Sequence, residues 1–185
     1  MVSITGAAIG VKIRRFITNT PDGSRISDTA FEGRHRGILV TTALFLPFVF
    51  AVSRLTGVES VTGATLPSVP LVHSIAGVGL VVALLGIAAV PTLPRRVRTS
   101  LASAGFMTTA AVLAYVTGGF IEAHFLYFVG VGVVALYEDW VPFGVAIGYV
   151  ATQHSVFGLI EWFTVYNHQA AMANPVIWGG IHAVF

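Results

Sequence analysis

Long apolar runs alternate with short polar breaks along this chain. The runs have the length of membrane-crossing helices, each of which needs about 20 mostly apolar residues. The first runs from Gly37 to about Leu55, followed by Val69 to Val90, Thr99 to Thr117, Phe120 to Leu136 and Val141 to Phe163. The breaks have the composition of turns. Residues 56–68 are rich in Gly, Thr and Ser, and Pro91, Pro94 and the basic string RRVR close the second run. Gly118-Gly119 turns the chain into the fourth run, the charged hinge Tyr137-Glu138-Asp139-Trp140-Val141-Pro142 into the fifth, and Asn167 to Pro175 into a sixth. Pro47, inside the first run, is expected to kink it unless a neighbour satisfies the freed carbonyl. The sixth run has only eleven residues, Pro175 to Phe185. At 1.5 Å per residue that is about 16 Å, too short for a hydrocarbon core of about 30 Å. The pattern predicts an all-α fold: a polytopic transmembrane helix bundle of six spans, the sixth truncated.

Residues 1–36 form a polar, basic lead, and 37–185 the transmembrane domain. Within the lead, Ala8 to Ile17 suits either a short basic interfacial helix or disorder, and Pro21-Asp22-Gly23 reads as a turn. The apolar stretch Ile9-Gly10-Val11 is too short for the core of a cleaved signal peptide, so the lead is expected to stay attached.

Composition agrees with the pattern: 55% of residues are hydrophobic and 10% charged, against about 25% charged in ordinary soluble domains. The absence of cysteine excludes disulfides, thiolate ligands and a cysteine nucleophile. The net charge of +2 conceals an asymmetry, because all ten Lys and Arg fall at or before Arg98. Lys12, Arg14, Arg15, Arg25, Arg34 and Arg36 lie in the lead, and Arg95, Arg96 and Arg98 lie after the second run. Basic residues favour the cytoplasmic side, so the N-terminus and the 137–142 hinge are expected inside, in a multi-pass protein of the cell membrane. The loops at 56–68, 118–121 and 164–174 then lie outside. Basic groups confined to two patches beside apolar runs do not make the basic face that a nucleic-acid partner requires.

Ionisable side chains inside apolar spans are costly and normally face a partner or a cavity. With this orientation His73, Glu122, His124, His154, Glu161, His168 and His182 all fall in the outer half, while His35 lies in the cytoplasmic lead as a solvated or headgroup-facing group. Helical phase groups His154 with Glu161, His124 with Tyr127, His73 with Gly77, and Asn174, Trp178 and His182 on one face. Imidazole with carboxylate suits Zn, Cu or non-haem Fe, and paired imidazoles suit haem iron. A polar network that takes a small ligand or proton, and hydrogen bonding between helices, are the other readings of the same residues. Gln153, about 100° from His154, reads as a supporting donor or a helix contact.

Several strings together resemble a known module. They are RHRGILV, LPRRVR, GGFIEAHFLYFVGVGVVALYEDWVPFGVAIG, the pair Gln153-His154, and VYNHQAAMANPVIWGGIHAVF. Over roughly Glu32 to Phe185 the chain is similar to the membrane input module that precedes the signalling domains of bacterial and archaeal diguanylate cyclases, sensor histidine kinases and chemoreceptors. EAHF, LYEDW and the series VYNH, ANP, IHA carry most of the likeness. His124, His154, His168 and His182 match the module, whereas Leu126 and Gln153, and Phe45 or Leu46, stand where members commonly have histidine. The resemblance implies a sensory input domain without catalysis of its own, joined to a cytoplasmic output domain after residue 185. The expected partners are the bilayer, that output domain or a partner protein, and a second copy of the chain. A membrane metal or haem redox protein and a small-solute transporter are the competing readings.

Overall fold

A computed structural model describes residues 18–60, 63–160 and 164–184. The interfacial helix considered for Ala8 to Ile17 lies outside them. Helix α1 spans Asp28–Val52, and the Ser27 side chain caps it by accepting from the Ala30 amide. It continues through Pro47 as a single helix. Two-residue strands β1 (Gly57–Val58) and β2 (Thr65–Leu66) pair antiparallel in the loop that follows. Then come α2 (Leu71–Ala88), α3 (Arg95–Val116) and α4 (Ile121–Val134), the last ending in a 3₁₀ turn at Ala135–Tyr137. Helix α5 (Trp140–Thr152) runs on as a π-helical turn, Gln153–Phe157, before the short α6 (Gln169–Ala173) and α7 (Pro175–Val184).

Helices α1, α2 and α3 are long and apolar enough to cross a membrane, and α4 and α7 are shorter apolar helices. The least hydropathic of the three long helices is the most buried. The apolar window of α3 is 72% buried, against 22% for α2. In lipid the hydrophobic effect does not drive helices together, and small residues that allow close packing do the work instead. Accordingly α3 carries Ala102, Ser103, Ala110 and Ala114, all fully buried, and packs against α1, α2, α4 and α5. Its hydroxyls are satisfied within the bundle: Ser103 donates to the Pro142 carbonyl at 2.8 Å, and Thr108 and Thr109 donate to carbonyls one turn back. The large apolar side chains point outward instead, as Leu44 and Phe48 of α1 and Ile75 and Leu80 of α2 do. Outward apolar faces on several long helices make this a multi-pass membrane protein.

The basic end of the bundle is tied together by polar contacts. Arg98 binds both carboxylate oxygens of Glu32, at 2.6 and 2.9 Å. Arg34 reaches the Glu138 carboxylate and the Leu136 carbonyl, each at 2.7 Å, and Arg96 meets Asp139 at 3.1 Å. Asp139 also caps α5 by accepting from the Val141 amide at 2.9 Å. The lead joins in, because the Gly23 amide donates to the Glu138 carbonyl and the Trp140 amide to the Pro21 carbonyl. The turn at Pro21-Asp22-Gly23 is closed by Asp22, whose carboxylate accepts from the Ser24 hydroxyl and amide. Those two bonds, the hydroxyl first, hold the Asp22 carboxyl below its ordinary pKa.

His35 departs from the expectation of a solvated group, since it is 1% exposed. It stacks on Phe31, one turn earlier, with ring centroids 5.4 Å apart. Its Nε2 lies 3.0 Å from the Ala88 carbonyl and its Nδ1 2.8 Å from the Tyr137 hydroxyl. A carbonyl only accepts, so Nε2 carries the proton and Nδ1 accepts from Tyr137. His35 is thus part of the packed interior at this end of the bundle.

Candidate functional site

Three helices bring imidazoles to one place. His124 lies in the first turn of α4, His154 in the π turn after α5, and His182 near the end of α7. Their ring centroids are 5.2 Å apart for His124 and His154, 5.5 Å for His124 and His182, and 4.8 Å for His154 and His182. His154 is completely buried and His124 is 4% exposed, while His182 is half-buried. Two tyrosines complete the cluster. Tyr127 lies edge-on to His154 at 4.8 Å, and Tyr166 stacks on His124 at 6.0 Å.

Local backbone features explain how these rings can approach. A π turn inserts one extra residue into the helical register and is frequent at functional positions. Here α7 lies against that turn so closely that a Cβ at Gly179 would fall 3.0 Å from the Ser155 amide nitrogen, besides meeting the Ser155 hydroxyl. Across the cluster, Gly119 has φ +80°, and a Cβ there would sit 2.7 Å from the Tyr166 carbonyl carbon. Only glycine both takes that backbone conformation readily and leaves room for the segment that carries Tyr166.

The proton positions follow from the partners. Each ring places Nδ1 against a carbonyl one turn back: His124 on Phe120 at 2.7 Å, His154 on Val150 at 3.0 Å and His182 on Trp178 at 2.8 Å. Carbonyls accept, so in all three Nδ1 donates, and in the neutral ring Nε2 keeps a lone pair. The Nε2 atoms of His124 and His154 are buried and have no hydrogen-bond partner among the described residues. Leaving a buried acceptor unpaired costs about 1–3 kcal/mol. The cluster therefore presents two costly, unsatisfied acceptors to one small volume. That arrangement suits a hydrogen-bond donor or a Lewis acid.

The other residues singled out from the sequence lie elsewhere. His73 is exposed in the first turn of α2 and pairs with the Tyr115 hydroxyl at 2.7 Å. Glu122 is exposed at the start of α4. His168 sits at the rim, where Nδ1 accepts from the Ala171 amide at 3.3 Å and the ring lies 4.8 Å from Trp178. Glu161 is outside the described residues. Among those described, no three or more His, Cys, Asp or Glu side chains form a group that could hold a metal ion as they stand.

Comparison with known proteins gives one strong likeness. The chain is 43% identical over 182 residues to Transducer protein Htr8 of Halobacterium salinarum, a match that covers 98% of this chain and 28% of that protein. The chain thus spans little more than a quarter of the curated relative it matches. No protein-family profile matches, and no solved structure does.

Sequence reasoning did not foresee Tyr166 as part of the cluster. Its only signal was its place beside His168 in VYNH. Tyr127 had been placed on the face of His124, and its hydroxyl donates to the Gln153 side chain at 3.1 Å. Gln153 thereby acts as a helix contact beside the cluster.

Proposed function

We propose that this chain is the membrane-embedded sensory input module of a signal transducer, and that the imidazole cluster receives its ligand. The likeness to a protein named as a transducer supports the sensory part. The reading places residues 1–36 in the cytoplasm and 37–185 in the membrane as six spans. Helices α1, α2 and α3 are the first three. Helix α4 with its 3₁₀ turn, α5 with its π extension, and α7 supply the others. In this topology α7 points toward the cytoplasm, where a signalling output domain would take up its movement.

The observation that carries the ligand reading is the pair of unpartnered Nε2 atoms on His124 and His154. A transition-metal ion is the ligand this donor set favours. Imidazole suits Zn, Cu and Fe, and a nitrogen–zinc bond of about 2.0–2.1 Å puts three rings around one tetrahedral ion at centroid spacings of about 5 Å. Nδ1–H bonds to backbone carbonyls are the usual way a protein fixes the tautomer of a metal-binding histidine. Binding requires the three rings to turn toward a common point, and the unpartnered Nε2 atoms of His124 and His154 are the first two donors available there. The rotation links ligand arrival to α7 through His182, and so to the cytoplasmic end.

The test is metal analysis and an absorption spectrum on protein purified without a polyhistidine tag. The expected result is one metal per chain, lost in His154→Ala. An intense haem band in place of a bare ion would revise the ligand and keep the site. Folded wild-type protein that takes up neither, and whose His154→Ala variant signals normally in the full-length transducer, would overturn the reading.

A further inference from the structure

His73 belongs to a different feature. It lines a cavity of about 400 Å³ among α2, α3 and α5, together with Gly77, Leu80, Thr108, Tyr115 and Gln153. The cavity is in the size range of small-molecule sites, and such sites are mostly apolar with a few well-placed polar groups. Leu80 on its wall is 54% exposed, so the cavity opens on the outward apolar face of the bundle. Entry is therefore from the lipid phase.

Two polar stations stand on different walls. On α2 and α3, His73 and Tyr115 are joined through Nδ1 and the hydroxyl, which leaves the His73 Nε2 as the group offered to a ligand. On the π turn, the Gln153 Oε1 accepts from Tyr127, which leaves the side-chain NH₂ as the donor. Among the described residues, no Lys, Arg, Asp or Glu lines the cavity. Arg54, from the neighbouring end of α1, is committed to Ser53, Ser74 and the Val69 carbonyl. A charged headgroup thus finds no counter-ion, and a plain acyl chain makes no use of the polar stations. A flat, uncharged ring with hydrogen-bonding oxygens on opposite edges makes use of both.

We propose that this cavity binds a membrane-dissolved quinone, its ring held between the His73–Tyr115 pair and the Gln153 amide. The site would communicate with the imidazole cluster by a short route. Gln153 holds the Tyr127 hydroxyl, and the Tyr127 ring lies 4.8 Å from His154. The proposal rests on the membrane placement given above, and not on the identity of the ligand at the cluster.

The experiment uses the chain in quinone-free nanodiscs with a short-chain photoreactive azidoquinone, the labelled peptides being mapped by mass spectrometry. Labelling should saturate, fall on α2 and residues 149–157, and be displaced by unlabelled decylubiquinone. Ala76→Phe, which fills the cavity from an exposed lining position, should reduce labelling at least tenfold. His73→Phe and Gln153→Leu should each weaken it several-fold, and His73→Phe should leave the metal content at the wild-type level. Labelling that does not saturate, that is unchanged in Ala76→Phe, or that palmitate displaces as well as decylubiquinone does, would overturn the quinone site. Loss of metal in His154→Ala with quinone labelling retained supports two separate sites. Failure of the wild-type chain to insert into nanodiscs would overturn both this site and the membrane reading.

Discussion

Two buried histidines, one at each end of the bundle, show how differently the same side chain can be used. His35 is 1% exposed and His154 is not exposed at all. His35 has both ring nitrogens paired, to Tyr137 and to the Ala88 carbonyl. His154 has one nitrogen paired and the other without a hydrogen-bond partner among the described residues. Burial alone therefore does not distinguish a structural histidine from a receptive one, and the hydrogen-bond inventory does. The polar end is closed, with Arg34, Arg95, Arg96 and Arg98 each matched to a carboxylate or a carbonyl. The imidazole cluster is open, because two of its acceptors have no donor among the described residues.

The largest expected effect separates the bound from the free protein. A ligand that binds only the folded state at a thousandfold excess over its Kd adds about 4 kcal/mol of stability. His154→Leu should remove that gain. In ligand-free protein the same change should leave stability within about 1 kcal/mol of wild type, since one deleted nitrogen lacked a partner and the Val150 carbonyl released by the other still accepts from the Gln153 amide. Denaturation of both proteins in detergent, with and without added metal, checks the two halves together. A ligand-free His154→Leu protein as damaged as a core-cavity variant would mean that the cluster is structural.

His35→Leu should behave in the opposite way. It strands the Tyr137 hydroxyl and the Ala88 carbonyl, both held by the ring, at about 1–3 kcal/mol for each unsatisfied group. The Ala88 carbonyl also receives Arg98 Nε at 3.4 Å, which softens its share. A loss of about 3 kcal/mol is expected, with metal content unchanged. Equal losses for the two leucine variants in ligand-free protein would erase the distinction between the two ends.

Much of this architecture was legible because lipid imposes it. Apolar runs had to be about as long as the bilayer, so their bounds fell within a few residues of α2 and α3. The expected first span began at Gly37, whereas α1 begins at Asp28, because Glu32 pairs with Arg98 and His35 is buried against Tyr137, so the helix starts ahead of the apolar run. Pairings across 66 and 102 residues leave no local trace. The π turn was invisible for a different reason, since a backbone register shift does not mark itself in side-chain type. Depth and helical phase were enough to bring His124, His154 and His182 to one level. They were not enough to place His73, because depth gives no angle around the bundle, and His73 faces Tyr115 instead.

The smallest effect is expected from the most conspicuous contact at the polar end. Arg34 sits 2.7 Å from both the Glu138 carboxylate and the Leu136 carbonyl, which suggests a strong tie. Its side chain, however, is 37% exposed and that of Glu138 47%. Exposed ion pairs contribute about 0–1 kcal/mol, because water already solvates both charges and two long side chains must be held in place. The Leu136 carbonyl can take a water molecule when the guanidinium is gone. Glu138 itself has φ 50°, a left-handed conformation for a non-glycine residue. That turn remains supported by the Gly23 amide, which donates to the Glu138 carbonyl at 2.8 Å and does not depend on Arg34. Arg34→Ala should thus cost less than about 1 kcal/mol, and the cost should shrink further in high salt, since exposed charges are screened. A loss as large as that of His35→Leu, insensitive to salt, would show that the polar end is held by its ion pairs and not by its buried imidazole.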